Sequence, residues 1–147
     1  MRGFEWVPGF ETNDIALPKR QTPGSAGYDL AAYDQVTLKR GAVFLVPTGV
    51  RVGLEQGEFL AVFARSSLAL KHHVLLANGV GVIDADYYGN KDNLGHIMIP
   101  LINIGERDVV IGRGERIAQG VFLPFHTLPS EVFGQDSRAG GFGSTDH

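Results

Sequence analysis

Apolar residues along this chain fall into short runs separated by Gly, Pro, Asn and Asp, and few recur at the spacing of an amphipathic helix. Such a pattern predicts strands joined by turns. The runs place strands at residues 36–38, 42–46, 50–54, 59–63, 74–76, 79–83, 97–103, 109–111 and 117–125. One helix is expected, about one turn long, opening at Ser66 or Ser67 as a serine N-cap ahead of Leu68, Ala69, Leu70 and Lys71. Many short strands with one brief helix predict an all-β sandwich or jelly roll.

A length of 147 residues allows one domain with a real core and is short for two. A hydrophobic content of 44% with 20% charged residues is an ordinary globular balance, which excludes disordered, collagenous and membrane-embedded classes. Twenty glycines and seven prolines supply the turns. No apolar run could span a bilayer, and residues 1–14 carry acids and a proline where a secretory signal needs an apolar centre. A cytoplasmic protein without a membrane partner is therefore expected. The absence of cysteine excludes disulfides and thiolate-ligated zinc. A net charge of −3 argues against a nucleic-acid partner, so an anionic ligand would have to be held by local arginines or a metal.

Five segments carry more polar and glycine detail than a β core requires. In SAGYDLAAY, residues 25–33, Asp29 is flanked by apolar neighbours and is either an ion-pair partner for an arginine or a functional acid. In FARSSLALK, residues 63–71, Arg65 beside Ser66 and Ser67 at a helix start offers a guanidinium, hydroxyls and backbone N–H groups. That set can hold phosphate, or it can be a capping serine beside a solvated arginine. In NGVGVIDADYYGN, residues 78–90, a β-branched, glycine-containing strand ends in Asp84, which either starts a turn or is a carboxylate fixed at a cleft as a general base. In GRGERIAQGVF, residues 112–122, Gln119 among apolar residues is either a satisfied core amide or a water-positioning group. In SRAGGFGSTDH, residues 137–147, three glycines surround Phe142 in what is either a disordered tail or an arm with one aromatic to stack on a flat ligand.

Taken together and in this order, the five segments resemble the five motifs of the trimeric deoxyuridine triphosphate nucleotidohydrolases, the dUTPases, over residues 25–145. The resemblance implies a jelly-roll β-barrel of dUTPase type over residues 1–136 and a mobile arm, residues 137–147, that closes over the active site. It implies a homotrimer with each site assembled from three chains. It also implies hydrolysis of dUTP to dUMP and pyrophosphate with Mg2+, which keeps uracil out of DNA. By position, Asp84 resembles the base that activates water against the α-phosphorus, and Gln119 a partner of that water. Tyr87 is similar to the tyrosine whose ring lies against deoxyribose. Asn78 and the backbone from Gly79 to Asp84, with Gly81, Val82, Ile83 and Asp84 as substrate contacts, match the hairpin that reads the uracil edge, and Met98 is counted in the substrate-binding set. Arg65, Ser66 and Ser67 match the phosphate-holding motif. Asp29 is similar to the acid that supports the arginine or the hydrated metal, with no direct metal ligand implied. Phe142 resembles the ring that stacks on uracil, Arg138 the arm's γ-phosphate ligand, and Gly143 and Ser144 its neighbours at substrate.

The chain departs from the family pattern in three places. Arg138 stands four residues before Phe142, one fewer than the common spacing; Ala85 and Asn90 replace a frequent polar residue and acid; and residues 91–94 look like an insertion. Two other readings compete. A dCTP deaminase would need an arginine at Leu70 and a glutamate at Pro100, and neither residue present can move a proton. A non-catalytic jelly roll that binds nucleotide would have no use for Asp84 and Gln119.

Overall fold

A computed structural model describes residues 1–134. Its eleven strands are β1 (Gly3–Trp6), β2 (Tyr28–Ala31), β3 (Val36–Leu38), β4 (Val43–Pro47), β5 (Val50–Gly53), β6 (Glu58–Ala64), β7 (Val74–Leu76), β8 (Gly81–Ile83), β9 (Met98–Asn103), β10 (Val109–Ile111) and β11 (Arg116–Pro124). One helix, α1 (Ser66–His72), follows β6, and a single 3-10 turn, Ala85–Tyr87, follows β8. The all-β expectation holds, with β3, β7 and β10 at their expected bounds. The fold is a jelly roll whose ladders, among the described residues, form four separate sheets rather than one closed barrel. Their strand orders are β1-β5, β10-β3, β2-β11-β6-β8 and β4-β9-β7.

Three sequence expectations need correction. The helix runs for seven residues, and its N-cap is Arg65 in extended conformation, with no side-chain cap bond, rather than a serine. Strand β1 was not expected, although Phe4 and Trp6 alternate with the exposed Gly3 and Glu5. Strand β2 was hidden because the polar Asp29 interrupts its apolar run, yet Leu30 is fully buried while Asp29 faces the other way.

One hydrophobic cluster joins the sheets. Leu30, Leu60, Ile97, Leu101, Ile111 and Ile117 are fully buried in it, each stabilising the fold by about 1.5–3 kcal/mol. Strand β11 crosses this core between β2 and β6 and carries an irregularity that matters for the site. Arg116 pairs with Ala31 and Ala118 with Leu30, so one extra residue is accommodated between them. Ile117 and Ala118 are consequently both fully buried, and Arg116 and Gln119 both turn outward. In a regular strand, residues three apart would face opposite sides.

His96, 7% exposed, is one of the buried polar side chains. Its Nε2 accepts a hydrogen bond from the Gly49 backbone N–H at 2.7 Å, and the Phe10 ring packs at 4.6 Å between centroids. Burial holds the imidazole below its ordinary value of 6.5. The unfolded chain therefore takes a proton more readily than the folded one, so this contribution to stability is complete above about pH 6.5 and shrinks as pH falls below it. A protonated Nε2 would oppose the Gly49 N–H. We expect the thermal midpoint to drop between pH 6.5 and 5, before carboxylates titrate, and His96→Gln to flatten that slope while lowering stability at pH 8 by about 1–3 kcal/mol. Melting curves of both proteins across the interval check this; equal slopes would assign the drop elsewhere.

Candidate active site

The outward face of the β2-β11-β6-β8 sheet gathers the first group of candidate residues. Register sets Gln119 opposite Asp29 on one side and opposite Phe63 on the other, and Arg65 follows directly after β6. The Asp29 side chain, 14% exposed, is engaged on both oxygens. Oδ1 lies 3.8 Å from Arg65 Nε, while Oδ2 lies 3.4 Å from Arg116 Nη1 and accepts from Gln21 Nε2 at 2.8 Å. Arg65 Nη1 also reaches the Arg116 carbonyl at 3.5 Å. Asp29 is thus the ion-pair partner of an arginine, the first of its two sequence readings. Both guanidinium groups remain partly open to solvent, so the pairs contribute little stability and chiefly fix where the positive charges stand. Ser67 is half-buried and Ser66 exposed in the first turn of α1, beside Arg65. A polyanion meeting this corner would find two cations and two hydroxyls.

Gln119 is seated there by a glycine. A Cβ on Gly27 would lie 2.1 Å from Gln119 Oε1 and 3.0 Å from its Cβ, so the chain can pass this close to the amide only without a side chain.

The second group surrounds Asp84. Strand β8 is an edge strand paired only with β6 among the described residues, through Leu60–Ile83, Ala61–Val82 and Val62–Gly81. Gly81 and Ile83 face the core, Val82 is 58% exposed, and among the described residues the other edge of the strand joins no further ladder. A flat heterocycle with amide-like edges could be read there. Asn78 sits exposed in the preceding turn, its carbonyl accepting from the Val80 N–H at 2.9 Å. Half-buried Asp84 caps the 3-10 turn in extended conformation, and its carbonyl accepts from the Tyr87 N–H at 3.1 Å. Tyr87 is 3% exposed and belongs to the core cluster. Its phenol donates to the His96 carbonyl at 2.6 Å and accepts from Asn93 Nδ2 at 2.8 Å. Next to it, Tyr88 packs under Arg51, 4.4 Å from the guanidinium carbon, and its hydroxyl binds Glu5, a bond that holds the Glu5 carboxyl below its ordinary range.

These two groups do not meet within one chain. Asp84 stands one residue beyond the Leu60–Ile83 pair, level with Phe59, whereas Gln119 pairs with Phe63. Four residues along a strand and two strand spacings across separate them, about 16 Å in all. The clefts agree. One of about 180 Å³ takes in Asp29, Arg116, Gln21, Lys19 and Asp14; another of about 440 Å³ lies against Ala85 and Tyr88 with Phe4 and Glu5. Met98 belongs to neither group, beginning β9 opposite Pro47 on a different sheet. Arg138, Phe142, Gly143 and Ser144 lie outside the described residues.

Among the described residues, no three His, Asp or Glu side chains converge as a metal cage. A magnesium ion held at the described residues would take most of its octahedron from phosphate oxygens and water, a common arrangement for that ion. Sequence reasoning missed Arg116 as the second cation on Asp29. The available signal was an arginine three residues before Gln119, unreadable without the bulge that turns both outward.

Comparison with known proteins agrees over nearly the whole chain. A family model described as dUTPase matches residues 13–146. Deoxyuridine 5'-triphosphate nucleotidohydrolase from Lactococcus lactis subsp. lactis is 44% identical over 146 residues, covering 99% of this chain and 97% of its own. The enzyme of the same name from Helicobacter pylori strain P12 is 41% identical over 133 residues, covering 88% of each. The crystal structure of dUTPase from Streptococcus mutans superposes with a TM-score of 0.85 at 44% identity, over 88% of this chain and 100% of that one.

Gly27→Ala isolates the seating of Gln119. The severe clash is with the amide end of the side chain, and the 3.0 Å approach to Gln119 Cβ needs only a few tenths of an ångström of adjustment, so the fold should survive with a modestly lowered thermal midpoint. Turnover should fall by about 10- to 100-fold as the amide is displaced. Steady-state kinetics beside a melting curve check both parts; undiminished turnover would show that the amide's position is immaterial.

Proposed function

The chain belongs to the dUTPase family, and from that premise we propose that it hydrolyses dUTP to dUMP and pyrophosphate in the cytoplasm, using Asp84 as the base. Water held by Asp84 and Gln119 attacks the α-phosphorus. Its oxygen forms the new bond, its proton passes to the Asp84 carboxylate, and the bond from the α-phosphorus to the bridging oxygen breaks with pyrophosphate leaving. Arg65 and Arg116, aligned by Asp29, face the phosphates together with the hydroxyls of Ser66 and Ser67. Asn78 and the free edge of β8 read the uracil amide edge, and Tyr87, backed rigidly by the core, lies against the deoxyribose. Magnesium, when bound, neutralises and orients the phosphate oxygens. A dUTPase from phage phi11 of S. aureus, alike in fold with a TM-score of 0.71, is described for its coordination of a structural Mg(II) ion. The family resemblance would add Phe142 at the uracil face, Arg138 at the γ-phosphate, and Gly143 and Ser144 beside them, all outside the described residues.

The observation that carries this reading is the separation of Asp84 from Gln119 on one sheet. A base and its water-positioning partner about 16 Å apart cannot share one water, so the complete site needs a second copy of the chain. The outward face of the β4-β9-β7 sheet is suited to recruit it. Val43, Leu45 and Leu75 are 59%, 40% and 40% exposed there, and by register Pro100 and Ile102 lie between them. Apolar area of this kind marks an interface. A closed homotrimer whose chains lend Asp84 and Gln119 to each other satisfies both observations.

Incubation with each deoxynucleoside triphosphate and magnesium should release pyrophosphate from dUTP alone; release from dCTP with ammonia, or none, would overturn the reading. Asp84→Asn should keep nucleotide binding and lose about 10²- to 10⁴-fold in turnover. Complementation tests the shared site. Inactive Asp84→Asn and Gln119→Ala chains, unfolded together and refolded as a mixture, should recover about a quarter of wild-type activity, because a random quarter of sites pairs an intact Asp84 with an intact Gln119. A mixture no more active than its parents would place each site within one chain.

A further inference from the structure

We propose that Asn93, in the segment that looks inserted after the third motif, positions the Tyr87 ring and thereby sets discrimination against a ribose 2'-hydroxyl. This rests on the reading of Tyr87 as the sugar contact. The phenol oxygen of Tyr87 is held from two sides, donating to the His96 carbonyl at 2.6 Å and accepting from Asn93 Nδ2 at 2.8 Å. One bond would leave the ring free to swing about that contact. Two, from Asn93 and His96 at successive points of one loop, fix its tilt.

The segment around Asn93 is built to present that amide. Asn90, 5% exposed, donates through Nδ2 to the Tyr87 carbonyl at 2.9 Å and to Asn93 Oδ1 at 2.7 Å. Its Oδ1 accepts from the N–H groups of Asp92 and Asn93 at 3.0 and 3.2 Å. Asn93 Oδ1 accepts a further bond from the Gly95 N–H at 3.2 Å. With the oxygen of Asn93 occupied twice, its NH2 is oriented toward the phenol. Leu94 and Gly95 then turn with φ of +60° and +85°, and a Cβ on Gly95 would stand only 3.0–3.1 Å from Tyr88 Cα, Gly89 N and Tyr87 O. The segment therefore folds back onto the backbone that carries Tyr87. A ring displaced by a fraction of an ångström would admit the extra oxygen of a ribonucleotide, and discrimination by exclusion fails when the wall can yield.

The test compares kcat/KM for UTP with that for dUTP. Asn93→Asp keeps the shape but replaces the donor with an acceptor, and Asn93→Ala removes it while leaving the Asn90 bonds to backbone in place. Either should raise the UTP to dUTP ratio by about 3- to 10-fold. In a Tyr87→Phe background, which lacks the phenol oxygen, neither should raise it further, and this non-additivity separates positioning from general loosening. Tyr87→Leu is the control for the underlying reading. If it raises the ratio while both Asn93 variants leave the ratio within twofold of wild type, the positioning role is wrong and the sugar contact stands. If it also leaves the ratio unchanged, the sugar contact itself is wrong and the inference falls with it. An equal rise caused by Asn93→Asp in the Tyr87→Phe background would likewise overturn it.

Discussion

The register of β11 between its two neighbours is the constraint on which the rest of the structure depends. With Gln119 opposite both Asp29 and Phe63, the amide shares an outward face with the acid that aligns two arginines. A slip by one residue would carry Gln119 inward and drive Ala118 out of the core. The bulge before Ala118 sharpens the requirement. Without its extra residue, Arg116 could not stand on the same face as Gln119 while Ile117 and Ala118 both remain fully buried. Core packing and the placing of Arg116 beside Gln119 are thus set by one local irregularity, and the Gly27 approach to Gln119 accompanies that register.

Much of the fold was legible because its signals are local. Val36, Leu38, Val74, Leu76, Val109 and Ile111 bracket short apolar runs between turn residues, and the strands stand there. Asp29 inside an apolar stretch announced a paired acid, and the pair exists. What was not legible depends on partners far away in sequence. Arg116 reaches Asp29 across 87 positions, and β1 gains its place by pairing with β5 rather than by its own propensity. The N-cap failed for a related reason. Two serines satisfy capping preference equally well, yet the chain leaves β6 still extended at Arg65, so the cap position falls on that residue, without a side-chain bond.

Segment 90–95 shows how a departure from family pattern can be structured rather than tolerated. Its asparagines bond to each other, to backbone and to a buried tyrosine, and no buried side-chain polar atom is left unsatisfied among the described residues. Insertions placed where they solvate themselves would be mobile; this one is tied to the core through Tyr87 and His96.

A site divided between chains, as proposed for Asp84 and Gln119, would also change how the activity responds to supply. A chain carrying the whole machinery would turn over substrate in proportion to its own number at any dilution. On the shared site proposed above, the working unit would exist only after chains meet, so output would follow a power of the subunit concentration near the association threshold and become linear above it. Expression level would then act as a switch as well as a dose. A single faulty copy entering an assembly would also disable sites it shares with sound neighbours, giving partial loss of chain quality an outsized effect on output.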